Sequence, residues 1–503
     1  MKPFSKSGPI KSLLIANRGE IAIRVMRAAA ELGLRTVAIH SREDRFSLHR
    51  TKADESYLVG DAKGPIEAYL DIADIIRIAV EARVDAIHPG YGFLSESPEF
   101  ADACAAANII FIGPLPDTMR RLGNKVEARN LATAAGVAVM PATPPLPDDD
   151  AKVMAMAHAV GFPVMLKATW GGGGRGMRVV EDDRELIATV AAARREAKAA
   201  FGKDEVYLEK LIRRARHVEV QILGDSHGNL VHLYERDCSV QRRNQKVVER
   251  APAVFLTAAQ RHELCEAALK IGRAAAYRAA GTVEFLQDAD TGRFFFIEVN
   301  PRIQVEHTVT ECVTGVDLVK AQIRIAAGAR IGTPESGVPC QEDIRVSAHA
   351  LQCRVTTEDP ENNFVPDYGR VTAYRSPAGF GIRLDAGTAY SGAIITRYYD
   401  SLLVKVTAWS PTPEETIARM HRALWEFRIR GVVTNLRFLD QLIMHPRFVH
   451  ADYTTKFIDE TPELFRIPRK RDQLVEFIRL IDRAIAHMID DNGEVRMSLD
   501  QRL

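Results

Sequence analysis

The spacing of apolar residues changes several times along this chain, and each change marks a different element. SLLIA (12–16) is a short apolar run of the buried-strand type, NRGE (17–20) is a polar turn, and residues 21–32 carry apolar positions at helical spacing. A second strand is predicted over 35–40, which completes a β-α-β unit. The same strand-then-loop logic recurs where DAI (85–87) runs into HPGYG (88–92), and where IIFI (109–112) meets Gly113 and Pro114. Residues 1–122 are therefore expected to form a parallel α/β, Rossmann-like domain, with ligand loops at the carboxyl ends of its strands.

A Pro-rich, acidic stretch at 141–150 marks a junction. Helix, strand and glycine-run patterns beyond it describe a small inserted unit over about 142–211, expected to act as a mobile lid within a second domain spanning 123–335. Strands and helices alternate from 213 onward. After residue 345, short strands broken by Gly, Pro and Asp turns predict a mainly β third domain, 336–455. A helical tail is expected over 456–503: its 465–472 segment is basic and Pro-interrupted, and 474–489 has amphipathic spacing suited to packing on a partner or on further chain. The whole reads as a multidomain α/β and α+β protein without fixed-period repeats or low-complexity tracts.

The most chemically specific stretch is 281–307. GTVEFLQ (281–287) and FFFIEVN (294–300) flank a DADTGR turn (288–293), the pattern of a β-hairpin. Pairing about residues 290–291 puts Glu284 opposite Glu298 to within one residue, and Glu298 and Asn300 share a face. Carboxylates directly across a sheet repel one another, whereas Mg2+ with nucleotide phosphates would neutralise them. PRIQVEH (301–307) then delivers a cation, an amide, a carboxylate and an imidazole just beyond this metal position.

Size and charge narrow the class. A chain of 503 residues exceeds one core. Lys and Arg total 67 against 66 Asp and Glu, a net charge of +1, so nothing global favours nucleic acid or an anionic membrane. The six cysteines form no Cys-x-x-Cys pair, which disfavours a zinc site or disulfide framework and predicts free thiols. No apolar run approaches the roughly 20 residues of a membrane span, and residues 1–11 have no secretory apolar core. A cytoplasmic enzyme is expected; a mitochondrial chain after removal of a transit peptide would read the same.

Further candidates lie upstream of the hairpin. LKATW (166–170) leads into a glycine run, 171–176, containing Gly172, Gly173 and Gly174, whose backbone N–H groups would close over phosphate. No Gly-Lys-Ser/Thr follows, so this is not a Walker loop. Lys167 offers a cation beside the same phosphates, and Lys125 is a second candidate. In YLEKL (207–211) and RHVEVQI (216–222), Glu209 and His217 are candidates for ribose hydroxyls. The segment 235–252 is dense in charge without helical or strand alternation. It reads as a loop in which Lys246 and Arg242 or Arg243 neutralise an oxyanion that Gln241 orients. Together these parts describe an enzyme that phosphorylates a carboxylate-like substrate with ATP.

In order and content the chain resembles the ATP-grasp superfamily and, within it, the biotin carboxylases. The resemblance rests on IANRGEIA (15–22), HPGYGFLSE (88–96), GGGGRGM (171–177), 235–251, 298–307 and YYD (398–400), and spans residues 12 to about 460. It implies that Lys125, Lys167, Gly172, Gly173, Gly174, Glu209, Lys210, His217, Gln241, Glu284 and Glu298 bind ATP, with Glu284, Glu298 and Asn300 holding Mg2+ or Mn2+. It further implies that Lys246, Arg302, Gln304 and Val305 bind bicarbonate, that Glu306 is the base, and that Arg354 stabilises the biotin enolate after carboxyphosphate breaks down. Some biotin carboxylases carry His where this chain has Asn244, to which no role is assigned.

RVTTEDP (354–360), the Pro-Arg at 301–302, Trp170 and FGIRL (380–384) look more like the pyruvate carboxylase branch than the acetyl-CoA carboxylase branch. There Arg428 and Arg430 resemble residues near an acetyl-CoA effector site. No biotin-acceptor motif or second catalytic domain is seen, so biotin is expected on a carrier domain or protein, with a separate carboxyltransferase component. Homodimerisation is implied by the resemblance. The competing readings are an acyl-CoA carboxylase subunit, another ATP-grasp ligase with an amine or thiol acceptor, and a non-catalytic nucleotide-binding subunit.

Overall fold

The computed structural model describes residues 9–169 and 177–466, together with Ile481. Gly172, Gly173 and Gly174 lie outside the described residues, as does almost all of the expected tail beyond 466. The N-terminal strands form the expected parallel sheet, in the order Glu55–Leu58, Arg35–His40, Ser12–Ile15, Ala86–His88 and Ile110–Phe111. Leu13 and Ile15 enter one core cluster and Leu14 another, so the central strand is buried on both faces, which is why it reads as a continuous apolar run. Helix Gly19–Glu31 packs Ile21, Ala22, Val25, Met26 and Ala29 into the first cluster at helical spacing.

Most of the remaining chain is organised on one eight-stranded antiparallel sheet. Its order is Phe294–Asn300, Ala279–Asp288, Ala215–Gly224, Leu230–Arg242, Gln245–Ala251, His349–Thr356, Leu402–Ser410 and Ile382–Ala386. The C-terminal strands thus continue the sheet that carries the 281–300 hairpin. Helices Pro413–Glu426 and Leu436–Met444, additional to the mainly β reading, bury Met420, Phe438 and Leu442 against that end. A smaller three-stranded sheet, Arg178–Val180, Val164–Ala168 and Val206–Lys210, carries helices Asp150–Val160 and Asp183–Phe201 around its own core of Leu166, Leu186 and Leu208. Within 456–466 the chain makes turns and one 3-10 turn, Pro462–Phe465, rather than the start of a long helix.

The segment 235–252 departs from its reading as a loop. It is a hairpin of Leu230–Arg242 and Gln245–Ala251 whose two turn residues, Arg243 and Asn244, have φ of 49° and 62°. Two consecutive left-handed residues match the twist of paired strands, and Asn tolerates that conformation better than most side chains. Asn244 thereby acquires a conformational role.

The contacts between the N-terminal sheet and the C-terminal region include two close ones. Gly387 passes so near helix Gly19–Glu31 that a Cβ there would sit 2.5 Å from the Glu20 nitrogen. Nearby, Arg18 pairs with Asp44 and stacks 3.7 Å over the Tyr399 ring, while the Tyr69 hydroxyl donates to Asp44 at 2.7 Å. Burial alone would favour the neutral form of Asp44, but Arg18 outweighs it and holds the carboxyl down at about 2. The stabilisation from a depressed carboxylate is present above its unfolded value and lost as pH falls through the folded one. Asp44→Asn is therefore expected to lower the unfolding free energy by about 2 kcal/mol at neutral pH, with the gap to the parent narrowing below about pH 4. Urea unfolding across that range reads the gap, and a gap that did not change with pH would rule out the ion pair as its source.

Candidate active site

A cavity of about 1300 Å3 opens between the N-terminal region, the small three-stranded unit and the large sheet. Every described candidate for ATP, metal, bicarbonate or the biotin enolate lines it: Lys125, Lys167, Glu209, Lys210, His217, Gln241, Lys246, Glu284, Glu298, Asn300, Arg302, Gln304, Val305, Glu306 and Arg354. The hairpin register places Glu284 directly opposite Glu298, within the one residue its turn predicts, after a register shift between Glu284 and Phe285. On its other side Glu284 lies opposite Glu219, which in turn lies opposite Arg236. Three carboxylates thus stand in a row across adjacent strands, an arrangement that is destabilising unless cations reach it.

Lys246 is the main cation that does so. Its ammonium bonds Glu219, Glu306 at 2.6 Å and Glu284 at 3.0 Å. Burial opposes its charge, but the three carboxylates together raise its pKa well above the ordinary lysine value. The same contacts act in reverse on the acids. Burial pushes Glu284 and Glu306 up, and Lys246 with its neighbours outweighs it, holding both below the usual range. Arg354 bonds Glu249 through Nε at 2.6 Å and Glu306 through Nη2 at 3.1 Å. Arg302 pairs with Glu96 and donates to Asn300 Oδ1 at 3.1 Å.

Several candidates are held differently from the sequence reading. His217, which the sequence offers for ribose, has its Nε2 3.2 Å from Glu284 and 3.6 Å from Glu219, among the acids below Lys246. Burial disfavours its charge, but Glu284 and Glu219 prevail and raise it to about 9. Lys210 donates to the carbonyls of Gly161 and Phe162 at 2.8 Å each, whereas Lys167 pairs with Glu209 across the small sheet. Gln241 donates to the Cys238 carbonyl at 2.8 Å, so its amide nitrogen is engaged by backbone.

A divalent metal fits part of the expected ligand set. Glu298 is pushed up first by burial and then by Glu284, with Lys125 opposing, the signature of an acid pair that lacks a full counter-charge. Asn300 turns its amide nitrogen to Glu284 at 2.9 Å and its oxygen to Arg302, so its oxygen does not join the two acids in this arrangement. The alternative trio of His217, Glu219 and Glu284 has its donor atoms within 4.8 Å of one another. Arg236 and Lys246 already occupy both oxygens of Glu219, so the hard oxygens of Glu284 and Glu298 are the better match for Mg2+ or Mn2+.

Sequence reasoning missed Glu219, Arg236, Glu249, Glu96 and Lys405. The period of two in RHVEVQI (216–222) carries a signal for the first, since Glu219 and Gln221 share the face of His217. Lys405 is fully buried, pairs with Glu20 at 3.0 Å and donates to the Val305 carbonyl at 2.9 Å.

Family comparisons agree with this architecture. Residues 9–119 match the family described as biotin carboxylase, N-terminal domain, residues 124–333 the carbamoyl-phosphate synthase L chain, ATP binding domain, and residues 352–460 the biotin carboxylase C-terminal domain. The biotin carboxylase domain of Hydrogenobacter thermophilus 2-oxoglutarate carboxylase, crystallised as a dimer with MgADP, ADP and bicarbonate, superposes with a TM-score of 0.85 and 43% identity, covering 91% of this chain and 98% of that one. The chain belongs to the biotin carboxylase family, a class of ATP-dependent carboxylases and hence a ligase.

Among longer relatives, pyruvate carboxylase of Bacillus subtilis is 52% identical over 472 residues, 94% of this chain and 41% of that enzyme. The structure of Rhizobium etli pyruvate carboxylase T882A with the allosteric activator acetyl coenzyme-A gives a TM-score of 0.87 at 69% identity, over 92% of this chain and 41% of that one. The chain spans about two fifths of the length of these relatives. No helix among the described residues is long and apolar enough to cross a membrane.

Removing one partner of a buried ion cluster leaves uncompensated charge. Lys246→Met is expected to cost roughly 3 kcal/mol of stability at neutral pH. Because the acids it serves are held below their usual range, that loss shrinks once pH falls below about 4. Denaturant unfolding at both pH values measures it; a variant as stable as the parent at neutral pH would mean that other groups neutralise these carboxylates.

Proposed function

We propose that this chain uses ATP and bicarbonate to carboxylate biotin carried on protein, as the biotin carboxylase component of a pyruvate carboxylase. The observation that carries the reading is Glu306, a buried carboxylate bonded at once to Lys246 and Arg354, in the cavity that also contains the Lys167–Glu209 pair and the Glu284–Glu298 row. ATP takes Lys125, Lys167, Glu209, Lys210, Gln241 and the glycine run, with His217 at the phosphate end beside Glu284. A Mg2+ or Mn2+ ion held by Glu284 and Glu298 would supply charge neutralisation to the phosphates.

Bicarbonate takes Lys246, Arg302, Gln304 and the backbone of Val305. Sharing those cations with the bound anion weakens their hold on Glu306 and returns basicity to its carboxylate. Glu306 removes the bicarbonate proton. A carbonate oxygen then bonds the γ-phosphorus as the bond to ADP breaks, giving carboxyphosphate. Cleavage of its C–O bond gives CO2 and phosphate; the phosphate takes the ureido proton of biotin, and the nitrogen bonds CO2. Arg354 faces the enolate oxygen that develops on the way.

Biotin comes from a carrier domain or protein, and a carboxyltransferase component passes the carboxyl group on. Pyruvate is favoured as final acceptor because pyruvate carboxylase relatives reach 52% identity and above, against 43% for the 2-oxoglutarate enzyme. A homodimer is supported by the dimeric relative, and an acetyl-CoA effector by the activator-bound one together with Arg428 and Arg430, exposed on the strand Arg428–Arg430. We place the chain in the cytoplasm and divide it into 1–122, 123–335, 336–455 and a tail.

The purified chain is expected to cleave ATP in a manner dependent on both bicarbonate and free biotin. ATP turnover indifferent to both would end this reading. Glu306→Gln should reduce bicarbonate-dependent turnover by about a hundredfold or more while nucleotide affinity, read by calorimetry, stays within a few-fold. Retained turnover would remove Glu306 from the base role.

A further inference from the structure

Arg236 is fully buried in the middle of the large sheet, and its guanidinium makes five hydrogen bonds to five residues on three neighbouring elements and one loop. Nε donates to Glu219 Oε1 at 2.6 Å, Nη1 to Gln221 at 2.7 Å and Thr310 at 3.1 Å, and Nη2 to Thr282 at 3.1 Å and Gln304 Oε1 at 2.7 Å. All five guanidinium N–H groups are thereby used, and none faces the cavity. We propose that Arg236 is a positioning residue for the anion site, fixing which end of the Gln304 carboxamide faces the reacting groups and how much of the Lys246 charge is left for the anion. This rests on the biotin carboxylase reading above.

Two geometric facts carry it. Arg236 can only donate, so the atom of Gln304 it holds must be the carbonyl oxygen, and the NH2 end is turned outward, where it donates to Glu284 at 2.9 Å. An inverted amide would present an acceptor to an incoming anion and repel it. Glu219 is also divided: one oxygen goes to Arg236 and the other to Lys246. Without Arg236, the charge of Glu219 would fall on Lys246, which already serves Glu284 and Glu306. Both effects fall first on the anion site, which Gln304 and Lys246 face directly, while Lys167 and Glu209, on the separate small sheet, are untouched.

Arg236→Lys keeps the charge but cannot span five acceptors. With the full chain, bicarbonate-stimulated ATP cleavage should show a bicarbonate KM raised about tenfold or more, with the ATP KM within about threefold of the parent. A bicarbonate KM unchanged within about twofold, or both KM values rising together as a merely structural defect would require, overturns the proposal. Should Arg236→Lys fail to fold, Thr282→Val with Thr310→Val removes two of its anchors and leaves every charge in place. The expected result is a bicarbonate KM raised roughly threefold at constant ATP KM, and no change overturns the inference. The parent chain separates the two readings: if it shows no bicarbonate stimulation, the function fails; if it does and the variants behave as parent, only the role of Arg236 fails.

Discussion

Three carboxylates meeting at one ammonium set the terms for this molecule. Glu219, Glu284 and Glu306 come from two strands and the start of a helix, yet all reach Lys246 near the turn of a separate hairpin. Taking several charges out of water costs several kcal/mol each unless partners are placed with care. The continuous sheet provides that placement, because strand register decides which side chains stand opposite. The row Arg236, Glu219, Glu284, Glu298 follows from three pairings of neighbouring strands. A one-residue slip in any of them would turn an acid to the wrong face and strand a buried charge.

That dependence explains what could be read from the sequence. The parallel N-terminal sheet was legible because strands buried on both faces leave unbroken apolar runs. The 281–300 hairpin was legible because its turn residues fix the register to within one residue; counting from the turn puts Glu284 opposite Ile297, and a bulge between Glu284 and Phe285 that the sequence does not announce moves it to Glu298. The 235–251 hairpin was not, because it buries charges on both of its faces. Arg236 turns to Glu219 and Gln304, while Asp237 accepts from Tyr453 and Glu235 from Arg261. No apolar and polar alternation survives such a pattern, and each partner lies far away in the sequence. For the same reason the back-side residues Glu249, Glu96 and Lys405 could not be chosen from among many similar charges.

Domain packing reaches the site through a second buried cation. Lys405 sits on the C-terminal strand Leu402–Ser410, pairs with Glu20 of the first helix and holds the Val305 carbonyl. Glu20 in turn accepts from Tyr91, at the end of the HPGYG loop. Burial raises the pKa of Glu20, and Lys405 only partly offsets that, so this acid is poorly compensated unless both neighbours stay in place. The backbone at Val305 is thereby tied to contacts from both ends of the chain. Mutations at the seam are thus able to disturb the site without touching it.

The three cations proposed to receive the anion and the enolate each have an acid behind them: Arg302 has Glu96, Arg354 has Glu249 and Lys246 has Glu219. Such pairing looks wasteful for the proposed anion site, since it cancels charge. It removes, however, the freedom of three long side chains, each of which would otherwise lose rotamer entropy when the anion arrives. It also keeps the donors pointing at the place where negative charge develops, so little reorganisation accompanies reaction. Glu306, held by Lys246 and Arg354, would then compete with the proposed anion for those two cations. In the proposed reaction, a small anion that yields its proton to Glu306 relieves that competition, because the protonated acid needs no cation. On the proposed reading, the site therefore favours a proton-bearing anion over one that has no proton to give.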